Sequence, residues 1–275
     1  MCAARAELPA ASADLVATGP PWWRLLPSRV VTFCIVEVQR IRNDQIELIT
    51  RAIQPALWLL IFGETFSRFR VIPTGNVPYL DYLAPGIMAQ SALFIAIFFG
   101  IQIIWERDFG ILTRLLSTPT PRAALISGKA FAAGVRAGAQ SIIIFALSAL
   151  LGVHLRWNPL YLVAALLVVI VSAAFFSTFS MTIAGLVLSR ERLMGIGQAI
   201  TMPLFFASNA LYPVHLMPGW LQAISTVNPL SYEVDALRGL LLGTPSHLGL
   251  DVAVLAGSTV LGITVSSSLL RRLAG

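Results

Sequence analysis

The chain has 275 residues, 57% of them hydrophobic and 12% charged, with a mean hydropathy of +0.80. Soluble domains carry about 25% charged residues, so a soluble fold has too few polar groups to cover this chain, and a bilayer is its natural solvent. The net charge of +6 does not point to nucleic acid, because the nineteen basic residues are dispersed between apolar stretches, as membrane-anchoring residues are.

Residues 1–27 read as a disordered cytoplasmic N-terminus, interrupted by Glu7 and Asp14 and without the apolar core of a secretory signal. Cys2 and Cys34 are the only cysteines and support neither a disulfide framework nor a metal site. Residues 28–51 predict one amphipathic interfacial helix. Glu37, Arg40, Asp44, Glu47 and Arg51 recur every three or four positions and form a charged stripe of mixed sign. The apolar stretches that follow far exceed the ~10 residues of a barrel strand and lack its period of two, so they predict spanning helices.

The charge-free windows are 52–63, 82–105, 137–155, 157–189, 193–232 and 252–270. Window 52–63 is short and puts Glu64 at the outer boundary. Window 157–189 is too long for one upright span and must tilt, kink or project. Window 193–232 is divided by Pro213, Pro218 and Pro229, so its second half breaks into short pieces. The expected fold is all-α: a polytopic integral membrane protein of six transmembrane helices over 52–275, preceded by the interfacial helix and carrying short re-entrant outer helices. With both termini in the cytoplasm, fourteen basic residues fall inside and four outside, while Arg136 lies within a span.

Three segments can carry chemistry. In the inner loop 105–119, Trp105, Phe109, Leu112 and Leu116 fall on one face of a short helix that Pro119 and Pro121 stop. It is either a plug for a soluble partner or an interfacial anchor. In the outer segment 211–244, Asn228-Pro229 and Ser231 offer helix-start chemistry, and Asp235 and Arg238 are spaced to pair. In span three, Gly134 and Gly138 have a spacing that allows close helix approach. Arg136 between them is a functional-site candidate that can equally snorkel to the inner surface.

Several motifs are absent from the sequence. Gly128-Lys129 lacks the rest of a phosphate-cradling loop, so the chain has no nucleotide-binding motif. No HExxH or GxSxG occurs, and His154, His215 and His247 are too dispersed for a metal site. The predicted span interiors hold no carboxylate, which a proton-coupled transporter commonly needs.

Taken in order, Tyr82-Leu-Ala-Pro-Gly-Ile-Met88, Glu106-Arg107 with Gly110, Leu112, Leu115, Leu116 and Pro119, the stretch Pro203–Asn209, Tyr212-Pro213, Pro218, Asn228-Pro229-Leu-Ser-Tyr232 and Asp235-Ala-Leu-Arg238 resemble the ABC type-2 transporter permeases, in the daunorubicin-resistance and nodulation-factor exporter branch. The resemblance covers roughly residues 30–272. It implies a multi-pass permease of the bacterial plasma membrane that exports amphipathic drugs, lipids or glycolipids, in multidrug efflux and antibiotic resistance. The implied partners are two copies of an ABC ATPase subunit, which bring ATP and Mg, a second permease subunit, either the same chain or a related one, and membrane lipid. It makes 105–119 the coupling helix, with Glu106, Arg107, Phe109, Gly110, Leu112, Arg114 and Leu115 facing the ATPase. The re-entrant segment becomes 213–243, with Pro213, Asn228, Pro229, Asp235 and Arg238 at an outer gate. Gln102, Arg136, Phe175, Phe176, Ser208 and Asn209 are candidates for the translocation path. The rival readings are a proton-coupled secondary drug transporter, with Arg136 as its one titratable candidate in the membrane, and a membrane-embedded transferase using Glu106 and Asp108.

Overall fold

The computed structural model describes residues 22–69, 77–117 and 121–274, and every regular element among them is helical. The helices are α1 (Trp22–Asn43), α2 (Gln45–Phe69), α3 (Tyr79–Asp108), α4 (Ile111–Leu116), α5 (Arg122–Leu150), α6 (Pro159–Val187), α7 (Arg190–Phe206), α8 (Gly219–Val227), α9 (Pro229–Leu241) and α10 (Leu248–Ala274), with a 3₁₀ turn at Val214–Leu216. Most of the segment expected to be a disordered N-terminus, and Pro119, lie outside the described residues.

Among the described residues, five helices are long and apolar enough to cross a bilayer: α2, α3, α5, α6 and α10. The sixth expected span begins as α7 and stops at Phe206 after 17 residues, roughly 25 Å at 1.5 Å per residue. α6 is continuous over 29 residues, roughly 43 Å, longer than the ~30 Å hydrocarbon core. It resolves the over-long window by length and not by a break. Asn158 caps it, accepting from the Leu160 N–H at 3.0 Å, with Pro159 at the first helical position.

The expected single helix over 28–51 is two helices. Asp44 leaves the charged stripe and caps α2, its Oδ1 accepting the Glu47 N–H at 3.1 Å. An aspartate able to satisfy an orphan amide of a new helix start competes with helix continuation, and here it wins.

α3 and α6 form the centre, α3 being buried over most of its length. In lipid, apolar burial does not drive helices together, so close van der Waals contact must. Ala130, Ala133 and Ala137 on α5 and Ala173 and Ala174 on α6 are fully buried. At Gly134 a Cβ would lie 2.6 Å from the Ile170 carbonyl oxygen, so the α5–α6 contact requires that glycine. α2 and α10 lie outermost and expose Ile53, Leu57 and Ile61, and Val260 and Leu261.

Candidate functional site

Polar side chains gather in three places: where α1 and α2 meet α5, at the basic end of the bundle beside Arg107, Arg122 and Arg190, and at the opposite end under the α8–α9 hairpin.

At the first, Arg136 of α5 is buried and does not snorkel. Its Nε donates to Glu37 of α1 at 2.5 Å and its Nη1 to Glu47 of α2 at 2.9 Å, and its guanidinium lies 5.7 Å from the Phe99 ring. Glu47 also pairs with Arg51 at 3.0 Å. Two members of the charged stripe, Glu37 and Glu47, therefore face a buried cation from either side of the Asp44 break, while Arg40, Asp44 and Arg51 stay exposed. A charge in the membrane needs a partner of opposite sign, and α1 and α2 supply two. Nearby, burial and then the Glu37 carboxylate push the Cys34 thiol above its ordinary range.

At the basic end, the expected 105–119 helix is interrupted. α3 runs on to Asp108, Gly110 adopts the left-handed conformation at φ +71°, and α4 follows. The turn divides the predicted apolar face. Leu112 is fully buried, Leu116 is half-buried, and Phe109 stands 69% exposed beside exposed Ile111 and Arg114. Glu106 pairs with buried Lys129 of α5, the one lysine of the sequence. Arg107 binds Asp108 at 2.9 Å and donates to the Leu188 carbonyl at 3.1 Å, and Arg190 lies 4.2 Å over the Trp105 ring. Of the predicted coupling residues, Glu106 and Arg107 are thus engaged within the chain. Phe109, Gly110 and Arg114 shape the outward surface, and Leu112 and Leu115 face inward to differing degrees.

At the opposite end, Asn228 ends α8 and starts α9, accepting the Leu230 N–H at 3.0 Å and donating to the Leu204 carbonyl at 2.7 Å; Pro229 follows at the first helical position and Pro213 precedes the 3₁₀ turn. Arg238 does not form the expected ion pair with Asp235. It is buried, lies 3.5 Å over the Tyr82 ring, and donates to the carbonyls of Asn209 at 2.7 Å, Ala210 at 3.1 Å and Tyr82 at 3.3 Å. Asp235 instead accepts from the Asn209 amide at 2.5 Å. The Tyr82 and Tyr79 hydroxyls donate to the Asn209 and Leu211 carbonyls. The chain after α7 leaves the helix in the protein interior, and non-helical backbone there needs partners. Arg238, Tyr79 and Tyr82 provide them. Ser208 is buried and bonds the Phe205 carbonyl.

The structure therefore brings Asn209, Asp235 and Arg238 together, and places Gln102 and Arg136 in one cavity of about 270 Å³. Phe175 and Phe176 belong to neither, packing with Phe179 along α6. Sequence reading sets Glu233 in the first turn after Ser231 but misses its depth: α9 carries this fully buried carboxylate to the middle of α6, where Ser172 donates to it at 2.5 Å. Sequence reading found no carboxylate inside the charge-free windows, and none lies there, but a helix outside them brings one against α6. It missed Lys129 as the partner of Glu106, although a lone lysine among arginines was a visible signal.

The family described as ABC-2 type transporter matches residues 31–242. Among similar proteins, ycf38 of Cyanophora paradoxa, which carries the name of a transport permease, is 32% identical over 204 residues, 73% of this chain and 70% of its own. Nodulation protein J of Rhizobium leguminosarum bv. viciae is 30% identical over 200 residues, covering 72% and 76%. The daunorubicin resistance ABC transporter permease protein DrrB1 of Streptomyces coeruleorubidus is 28% identical over 219 residues, covering 78% and 76%.

Proposed function

This chain belongs to the ABC-2 type transporter family, and on that premise we propose that it is the permease of an ATP-driven exporter for amphipathic drugs, lipids or glycolipids. Permeases of this family work with ABC ATPase subunits. The ATP and Mg belong to that partner, and this chain supplies the membrane path. The basic end of the bundle is assigned to the cytoplasm by its excess of arginine, which places both termini inside, and α7 with the short segments after it makes the sixth pass. The membrane is assigned as the bacterial plasma membrane, and a second permease, identical or related, completes the unit.

The observation that carries the coupling step is the corner at Gly110. Leu112 anchors α4 in the bundle while Phe109, Ile111 and Arg114 stand outward at the basic end. Two ATPase subunits closing on ATP would move that corner. The Glu106–Lys129 and Arg107–Leu188 contacts tie it to α5 and to the turn after α6, so its movement would be passed to the bundle. Coupling then amounts to ATP binding favouring one of two arrangements of the paired permeases.

The buried Glu233 gives the gradient-driven alternative a titratable group within the bundle, but family membership favours the ATP-driven reading. Inverted membrane vesicles separate the two. The exporter accumulates substrate on ATP addition with the proton gradient collapsed, and accumulation that follows the gradient and ignores ATP would overturn it. Glu106 and Arg107 are poor coupling probes, since changing them breaks internal contacts. Phe109→Ala with Arg114→Ala leaves those contacts intact and should cut transport-linked ATP hydrolysis by at least about fivefold, on the order of 1 kcal/mol.

A further inference from the structure

Two neighbouring cavities, of about 130 and 270 Å³, share Arg51, Ile95 and Phe98 and follow the junction of α2 and α3 from the basic end toward mid-bundle. Three glutamines line them: Gln54 on α2, and Gln90 and Gln102 on α3. Gln90 is only 2% exposed, and neither its Nε2 nor its Oε1 has a partner. The side-chain amides of Gln54, which is exposed, and of half-buried Gln102 also make no hydrogen bond among the described residues. Burying an amide with both ends unmet is costly, and native interiors rarely do it. By contrast, Gln140, equally deep on α5, can satisfy both ends on the backbone of α2, with its nitrogen toward the Leu48 carbonyl at 3.1 Å and its oxygen toward the Ala52 N–H at 3.2 Å.

We propose that the Gln54–Gln90–Gln102 groove binds the uncharged, hydrogen-bonding head of an amphiphile, a hydroxyl- or amide-rich group. This deepens the exporter reading and rests on it for transport, though not for binding. An amide presents a donor and an acceptor together, and its complement is a group that does the same. Charge argues for an uncharged head. The cavity that holds Gln90 is lined by no acid, and its one arginine, Arg51, is already paired with Glu47 at 3.0 Å; the cavity that holds Gln102 adds Arg40, Glu47 and Arg136, the last already neutralised by Glu37 and Glu47, so the uncharged head is assigned to the Gln90 end. Thr50 turns its hydroxyl back to the Ile46 and Glu47 carbonyls, so the free hydrogen-bonding capacity there rests with the glutamines and Ser91. Phe94 and Phe98 give the groove an apolar wall suited to the body of the ligand.

The test uses the full chain in phosphatidylcholine nanodiscs, without nucleotide or ATPase, so its outcome is separate from that of the exporter assignment. Cys2 and Cys34 are replaced by Ser and Thr50→Cys is labelled with a maleimide. Three probes share a dodecyl tail and differ in head: maltoside, sulfate and trimethylammonium. Dodecyl maltoside should slow labelling by at least about fivefold, with the two charged probes having little effect, and Gln90→Met should abolish the protection. Gln90→Met keeps the volume and removes the orphan amide, so it should unfold no earlier than the parent chain, which separates a binding defect from a folding one. Equal protection by all three heads, stronger protection by a charged head, or protection that survives Gln90→Met would overturn the proposal. So would labelling already blocked without any amphiphile, which would mean that a second copy of the chain fills the groove.

Discussion

Arg136 and Arg238 are both buried, and different chemistry holds each in place. Arg136 is neutralised by two carboxylates from other helices, whereas Arg238 is solvated by three carbonyls and a tyrosine ring. Their responses to substitution should differ accordingly. Arg136→Ala strands Glu37, itself almost fully buried, and should cost about 3–5 kcal/mol. Glu37→Gln combined with Arg136→Met should cost much less than the two single changes summed, as thermal unfolding in detergent can show. Arg238→Lys keeps the charge but loses the planar fork that reaches separate carbonyls, and should cost about 2 kcal/mol while opening the 207–213 segment to proteolysis. Cys34, with its thiol pushed up by burial and by Glu37, should react with maleimide more slowly than a free thiol at pH 7 and recover as pH rises, since only the thiolate attacks. At this scale the sequence was half legible. It marked Arg136 and Arg238 as unusual, but their partners lie 28 to 156 positions away, and no local spacing encodes such contacts. The Asp235–Arg238 spacing suited a helix-surface pair, yet the carbonyls left open after α7 made the stronger claim on the guanidinium.

Elements were legible where composition alone determined them. The uncharged windows at 82–105, 137–155, 157–189 and 252–270 became α3, α5, α6 and α10 because long apolar runs in lipid must be helical. Boundaries failed where one side chain could redirect the backbone. Asp44 divides one expected helix into two, and Gly110 divides the expected coupling helix, because a residue at φ +71° cannot continue a right-handed helix. The consequence at Gly110 is testable. A Cβ there meets nothing within 4 Å, so Gly110→Ala changes only backbone preference, by about 1–2 kcal/mol. Transport per ATP hydrolysed should fall while the assembled bundle persists, and an unchanged ratio would remove the corner from the coupling step. Gly134→Leu acts differently. It drives a side chain into the Ile170 carbonyl and should separate α5 from α6, seen as loss of monodisperse protein.

At the scale of the whole molecule, α2 and α10 leave long apolar faces on the periphery, and the basic end presents an exposed aromatic and arginine at a built turn. Membership in the ABC-2 type transporter family fits both features under the proposed function, in which the faces would meet lipid or a second permease and the turn would meet an ATPase. The central claim is therefore one of assembly. Its most direct test is purification of tagged chain from its native membrane in mild detergent, with every co-purifying protein identified by mass, before and after chemical crosslinking. The account predicts a soluble subunit carrying a phosphate-binding loop, recovered in proportion to the permease and lost with Phe109→Ala and Arg114→Ala. Intact permease recovered without any ATPase, crosslinked or not, would contradict it.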